Sequence, residues 1–151
     1  MKKFLFKLEP LFEYRNRLEE ISRKDFAEAL KRLDEEDEKL SALRRLYARA
    51  SEEADRLKED SIHPEELGMY YSYIATVKDQ IAGQEAILRS VRAELEVKRA
   101  GLMKASKDKL AIGTMKEKSF AAYRETVEKE EQKITDDMNS MRFKRGGAHE
   151  D

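Results

Sequence analysis

From Phe26 the apolar positions run Phe26, Ala29, Leu33, Leu40, Leu43, Tyr47, Ala50, Ala54 and Leu57, in alternating steps of three and four once Glu36 is counted into the series. Residues three and four apart share one face of an α-helix, and a stripe repeating every seven residues is the seam of a coiled coil. The series breaks off at "LKEDSIHPEELG". There Pro64 suits the first position of a helix, where its missing N–H leaves nothing unpaired, and Glu65 and Glu66 suit the positive end of the helix dipole. A second series follows: Leu67, Tyr70, Ile74, Val77, Ile81, Leu88, Val91, Leu95, Leu102, Ala105 and Ile112, with Gln84, Lys98 and Lys109 as its polar members.

Two long helices joined by a few residues can only lie antiparallel, because so short a connection cannot carry the chain back to the other end. Folding at the turn sets residues whose numbers sum to about 124 opposite one another: Leu57 with Leu67, Ala50 with Ile74, Tyr47 with Val77, Leu43 with Ile81. The pattern predicts an all-α fold, a long antiparallel two-helix coiled-coil hairpin over residues 1–145. Helix 1 is expected at about 8–60, the turn at about 61–63, helix 2 at about 64–143, and a disordered tail at 146–151.

At 1.5 Å per residue the first helix is about 76 Å long and the second about 118 Å, so the second is expected to overhang the first. The overhang carries its own stripe of Phe120, Tyr123, Val127, Ile134, Met138 and Met141, an apolar face without a long partner helix. Toward the far end each seam takes an extra step of four, which locally unwinds a left-handed supercoil, and Gly113 sits next to the slip in the second helix. Inside the seams, Glu36, Lys98 and Lys109 are read as long side chains that snorkel out of a thin core, in preference to polar residues that select a register. Beside the turn, Tyr71, Tyr73 and Leu46 flank the seam rather than join it, and exposed aromatics of this kind suit a docking patch.

Composition narrows the function. Charged residues make up 42% of the 151, Pro occurs twice, and Trp and Cys are absent, which is the composition of long solvent-washed helices. Without cysteine there is no disulfide or thiolate metal site, which suits a cytoplasmic protein. The 31 Lys and Arg nearly balance the 32 Asp and Glu, which argues against nucleic acid as a partner. The apolar run Phe4–Phe6 stops at Lys7, too short for a signal peptide, and no stretch is long enough to span a membrane. No phosphate loop, paired-histidine motif or catalytic triad is present, so no catalytic residue, cofactor or metal site is expected and the chain is not read as an enzyme. His63 at the turn and His149 in the tail are not read as a metal pair, and His63 is read as a helix-entry residue.

The opening "FLFKLEPLFEYRNRLEE", the heptad helix, the short turn and the longer second helix with "MKEKSFAAYRETVEKEEQKITDDMNSMRFKR" together resemble the FliJ family, coiled-coil proteins of the flagellar type III export apparatus. The most specific element is the arm Phe4, Phe6, Leu8, Glu9, Pro10 and Leu11. Members of that family are similar in fold to the paired terminal helices of the rotary ATPase gamma subunit. The resemblance implies a stalk that inserts its termini into the hexameric ring of the export ATPase FliI, promotes ring assembly and hydrolysis, and contacts the export gate FlhA near its hairpin turn. It implies a cytoplasmic protein held at the inner face of the cell membrane only through the export apparatus, with export chaperones as further partners.

On this reading Phe4, Phe6, Leu8, Leu11, Phe120, Tyr123, Val127, Ile134 and Met138 meet the ATPase ring. Basic residues outnumber acidic ones seven to four over residues 1–24 and would help steer that end. The gate surface carries over onto Leu43, Leu46, Tyr47, Tyr73, Val77, Gln80 and Gln84. The alternatives are a YscO-like stalk of a virulence type III secretion system, which shares the hairpin, and a generic homodimeric coiled-coil scaffold.

Overall fold

The computed structural model of the chain describes residues 2–60 and 64–147. The expected turn at 61–63, with His63, and residues 148–151, with His149, lie outside the described residues. Two helices make up the fold: α1 (Glu9–Glu59, 51 residues) and α2 (Pro64–Gly147, 84 residues).

Their ends follow from local chemistry. The Phe12 N–H donates to the Leu8 carbonyl at 2.9 Å, which makes Leu8 the residue that caps α1, and the Glu9 N–H closes a turn onto the Phe6 carbonyl at 3.1 Å. Pro10 thus falls in the first turn, where an N–H would have no helical acceptor. Pro64 opens α2, followed by Glu65 and Glu66 at the positive end of the dipole. At the other end α2 continues through Gly146 and Gly147, past the expected helix end at about 143 and into the segment expected to be a disordered tail. The turns before them already offer carbonyl acceptors, and Lys144 and Arg145 oppose the negative end of the dipole, which offsets the low helix propensity of glycine.

The chain divides into two compact units, Met1–Glu19 with Ala105–Asp151, and Glu20–Lys104. In the second of these, α1 and α2 run antiparallel: Arg32 bonds Glu94 at 3.1 Å, Arg44 bonds Glu85 at 3.4 Å, and the Lys78 ammonium lies 5.8 Å from the centre of the Tyr47 ring. The core is a single row of Ala29, Leu40, Ala50 and Ala54 against Val77, Leu88, Val91 and Leu95. Every one of these belongs to the heptad seams. Alanines on α1 let the backbones approach, and the larger side chains of α2 fill the gap. Leu88, Val77 and Val91 are the largest side chains removed from water, each stabilising the pair by about 1.5–3 kcal/mol.

The polar seam residues do not behave alike. Glu36 was expected to snorkel. Instead it is held across the seam: the Gln84 side-chain amide donates to the Glu36 carbonyl at 2.9 Å and to its Oε2 at 2.6 Å, while Lys39 approaches Oε1 at 3.2 Å. The amide donation and the Lys39 contact hold the Glu36 carboxyl below the usual glutamate range. Two polar violations of the apolar pattern are thus one pair, of a buried Gln84 and a half-buried Glu36. Lys98 lies half-buried along a groove lined by Asp25, Glu28, Arg32 and Glu94, where its charge is among carboxylates.

In the first unit, residues 9–19 of α1 lie against the part of α2 that begins at Ala105. Both carboxylate oxygens of Glu9 accept from Lys116, at 2.8 and 2.9 Å, and Arg15 pairs with Asp108 at 3.3 Å. Lys109 does not simply reach for water, since its Nζ lies 3.7 Å from Glu19, a carboxylate buried to 7% exposure. The Phe12 ring covers Gly113, where an added Cβ would sit 3.6 Å from the ring in ordinary contact.

Candidate functional site

Two surfaces stand out, one in each unit. In the first unit, residues 2–8 form a non-helical arm that turns back over α2. Phe4 meets Phe120 edge-on with ring centres 5.1 Å apart and meets Tyr123 at 5.4 Å, and the Tyr123 hydroxyl donates to the Lys2 carbonyl at 2.6 Å. Edge-to-face and tilted rings at these distances are favourable arrangements of their quadrupoles. Phe120 and Tyr123 were expected to lack a long partner helix and so to need another cover. The arm supplies one, because the turn closed by the Glu9 N–H on the Phe6 carbonyl brings the chain over α2 just before α1 begins.

The cover is partial. Phe4, Phe6, Leu8, Leu11, Tyr123 and Val127 are half-buried, and Phe120 keeps an open edge. From Glu128 to Gly147 every residue is exposed. Ile134, Met138 and Met141 continue the stripe on that stretch, and Phe143 stands 84% exposed beside them. The helix here is braced by its own pairs, Glu125 with Lys129 at 2.7 Å and Arg124 with Glu128 at 3.8 Å, each worth a few tenths of a kcal/mol. An apolar stripe on a helix with no covering element is a surface fit to dock with another molecule.

The second surface lies near the start of α2. Met69, Tyr70 and Tyr73 line a shallow apolar groove, with Met69 73% and Tyr73 45% exposed. Tyr71 is partly occupied: Lys58 sits 5.4 Å from its ring centre, and the side-chain hydrogen bond with Tyr71 raises the Lys58 pKa. On α1, Leu46 is exposed while Leu43 and Tyr47 are half-buried.

Two residues assigned to the gate surface face the other way. Val77 is 1% exposed and Gln84 spends its amide on Glu36, so neither presents atoms to a partner while the helices stay paired. Their seam positions already place them inside. Gln80 is exposed. Met69 escaped the sequence reading, although it lies four residues before Tyr73 on the same helix face. Among the described residues no cluster of His, Cys, Asp and Glu could hold a metal, and no helix is long and apolar enough to cross a membrane.

A comparison with curated proteins finds no match. Among solved structures the chain is similar to a YscO homolog from Chlamydia trachomatis, at 15% identity over 98% of this chain and 100% of that one, with a TM-score of 0.44. The family model described as flagellar FliJ protein matches residues 3–148. That match spans the arm, both helices and the exposed end of α2, and the chain therefore belongs to the FliJ family of flagellar export proteins.

Proposed function

We propose that this protein is the central stalk of its export apparatus, with the arm and the free end of α2 entering the ring of the export ATPase and the surface near the hairpin turn meeting the export gate. The observation that carries the reading is the uncovered stripe of Ile134, Met138 and Met141, continuing from the aromatic cluster of Phe4, Phe120 and Tyr123. A ring built of like subunits needs an insert whose faces differ. A single helix that is apolar on one side and charged on the other meets that need. Burying a large apolar side chain contributes about 1.5–3 kcal/mol, enough for a few such residues to drive insertion. Lys2, Lys3, Arg142, Lys144 and Arg145 flank these surfaces and would speed encounter with an acidic ring at low salt.

The gate contact rests on Tyr73, Leu46 and Met69, which are open to solvent, with Leu43, Tyr47 and Gln80 beside them. The test is phosphate release by the cognate export ATPase with and without the protein. Full-length protein should stimulate hydrolysis, and proteins lacking residues 1–8 or 120–151 should not. Equal stimulation by both truncated forms would refute the ring contact. Tyr73→Ala should leave the helices intact and weaken gate binding by about 1–2 kcal/mol, an ordinary hot-spot loss. Undiminished gate binding by that variant would remove Tyr73 from the interface.

A further inference from the structure

Both seams repeat every seven residues, so within residues 20–104 the helices can slide by one heptad and still set apolar side chains against apolar ones. A slide in one direction brings Ala50 to Ile81 and Leu43 to Leu88. The opposite slide brings Ala50 to Leu67 and Leu43 to Ile74. Aliphatic packing alone therefore distinguishes these alignments weakly.

The Glu36 and Gln84 pair distinguishes them sharply. After one slide Gln84 lies between Leu43 and Tyr47 and Glu36 between Val91 and Leu95, and after the other they lie between Ala29 and Leu33 and between Val77 and Ile81. In both cases the buried Gln84 amide loses both of its Glu36 acceptors and the half-buried Glu36 carboxylate keeps only Lys39, so polar atoms come to face a hydrocarbon wall. In the observed alignment the amide hydrogens of Gln84 go to the Glu36 carbonyl and to its Oε2, and no buried side-chain polar atom among the described residues is left without a partner.

The other cross-helix contacts are less selective. Arg32 with Glu94 and Arg44 with Glu85 are each about half exposed, where ion pairs are weak and salt-screened. The hairpin tip opposes only one slide firmly: a shift that lengthens α1 past Asp60 draws Pro64 into a helix interior, whereas the reverse shift only unwinds the end of α1.

We propose that Glu36 and Gln84 form a register key, a part-buried polar pair whose role is to select one alignment of α1 on α2 over those one heptad away. The key trades stability for uniqueness, since an aliphatic pair of similar volume would pack at least as well.

The chain has no cysteine, so disulfide trapping reports alignment without background. Ala50→Cys with Ile74→Cys reads the observed register, and Ala50→Cys with Ile81→Cys or with Leu67→Cys reads the two slides, in full-length protein under mild oxidation. With the key intact, only the first pair should close intramolecularly in quantity. In a Glu36→Leu/Gln84→Leu background, at least one offset crosslink should rise by an order of magnitude while thermal stability holds or increases. Gln84→Leu should melt lower than the double, because it sets the Glu36 carboxylate against leucine with only Lys39 to meet it, whereas Glu36→Leu leaves the Gln84 amide the backbone carbonyl of position 36. If the double leucine variant still closes only the Ala50 and Ile74 pair, the tip and the ion pairs set the register and the proposal is overturned. It is also overturned if the double variant melts below both singles, which would make the pair an ordinary stabilising contact.

Discussion

Replacing Phe4 with alanine tests whether the arm is held by its aromatic cluster. The Phe4 ring is half-buried and touches two rings, Phe120 at 5.1 Å and Tyr123 at 5.4 Å. Half the burial energy of a phenylalanine is about 1 kcal/mol, and two aromatic contacts at the weaker end of their range add about another 1–2 kcal/mol. Losing about 2–3 kcal/mol raises the detached fraction of the arm by about 30- to 150-fold, at 1.4 kcal/mol per tenfold. The hydrogen bond from Tyr123 to the Lys2 carbonyl cannot compensate, since it depends on the arm being in place.

Trypsin reads the change. The bond after Lys7 lies two residues before α1, so cleavage there requires the arm to leave and the first turn to loosen. When opening and closing are fast, the cleavage rate follows the open population. Loss of residues 1–7, followed by mass spectrometry, should accelerate by one to two orders of magnitude in Phe4→Ala. Phe143→Ala, which removes an 84% exposed ring, should leave the rate unchanged. A Phe4→Ala rate within twofold of wild type would show that the cluster does not secure the arm.

Three further outcomes follow from the packing and the charges. Leu88→Ala should lower the stability of the helix pair by about 2–4 kcal/mol in urea denaturation followed by circular dichroism, whereas Val97→Ala, at a 69% exposed position, should change it by less than about 0.5 kcal/mol. Equal effects at the two positions would contradict the seam. The depressed carboxyl of Glu36, with Gln84 facing it from α2 and Lys39 and Arg32 beside it on α1, contributes stability that is complete above the ordinary glutamate range and lost as pH falls through its lower folded value. Glu36→Gln should flatten the acid limb of melting temperature against pH, and an unchanged limb would assign the acid sensitivity elsewhere. Lys116→Met should cost at most about 1 kcal/mol by the same denaturation assay, because its pair with Glu9 is about a third exposed, and a loss of several kcal/mol would mean that the pair is far better shielded than that exposure implies.

The helices and their register were legible because a seven-residue repeat is a local signal that survives in a single sequence. Leu40, Leu88 and Val91 announced their burial through spacing alone, and the cross-seam contacts keep residue numbers summing to within about five of 124. What spacing could not show was which polar seam residues find each other. Glu36 and Gln84 each read as a flaw in one helix and become a pair only when both helices are present. Glu19 was missed for the same reason, since its burial depends on Lys109 across the contact. The clasp of Phe4 on Phe120 and Tyr123 was hidden more deeply, because a non-helical arm has no period from which its contacts can be read.

The far stretch of α2 has a thermodynamic character of its own. Residues 128–147 are exposed throughout, yet they extend a helix whose first turns are already fixed by packing against α1 and the arm. Starting a helix is the unfavourable step and lengthening it is nearly neutral, so this stretch grows from a permanent nucleus and is spared the cost of nucleation. It should consequently melt by zipping inward from Gly147 one residue at a time, well below the temperature at which the packed seam gives way. A heating curve for this protein will therefore slope before it breaks, and a two-state fit across the whole curve would assign to the seam an enthalpy that partly belongs to the free end.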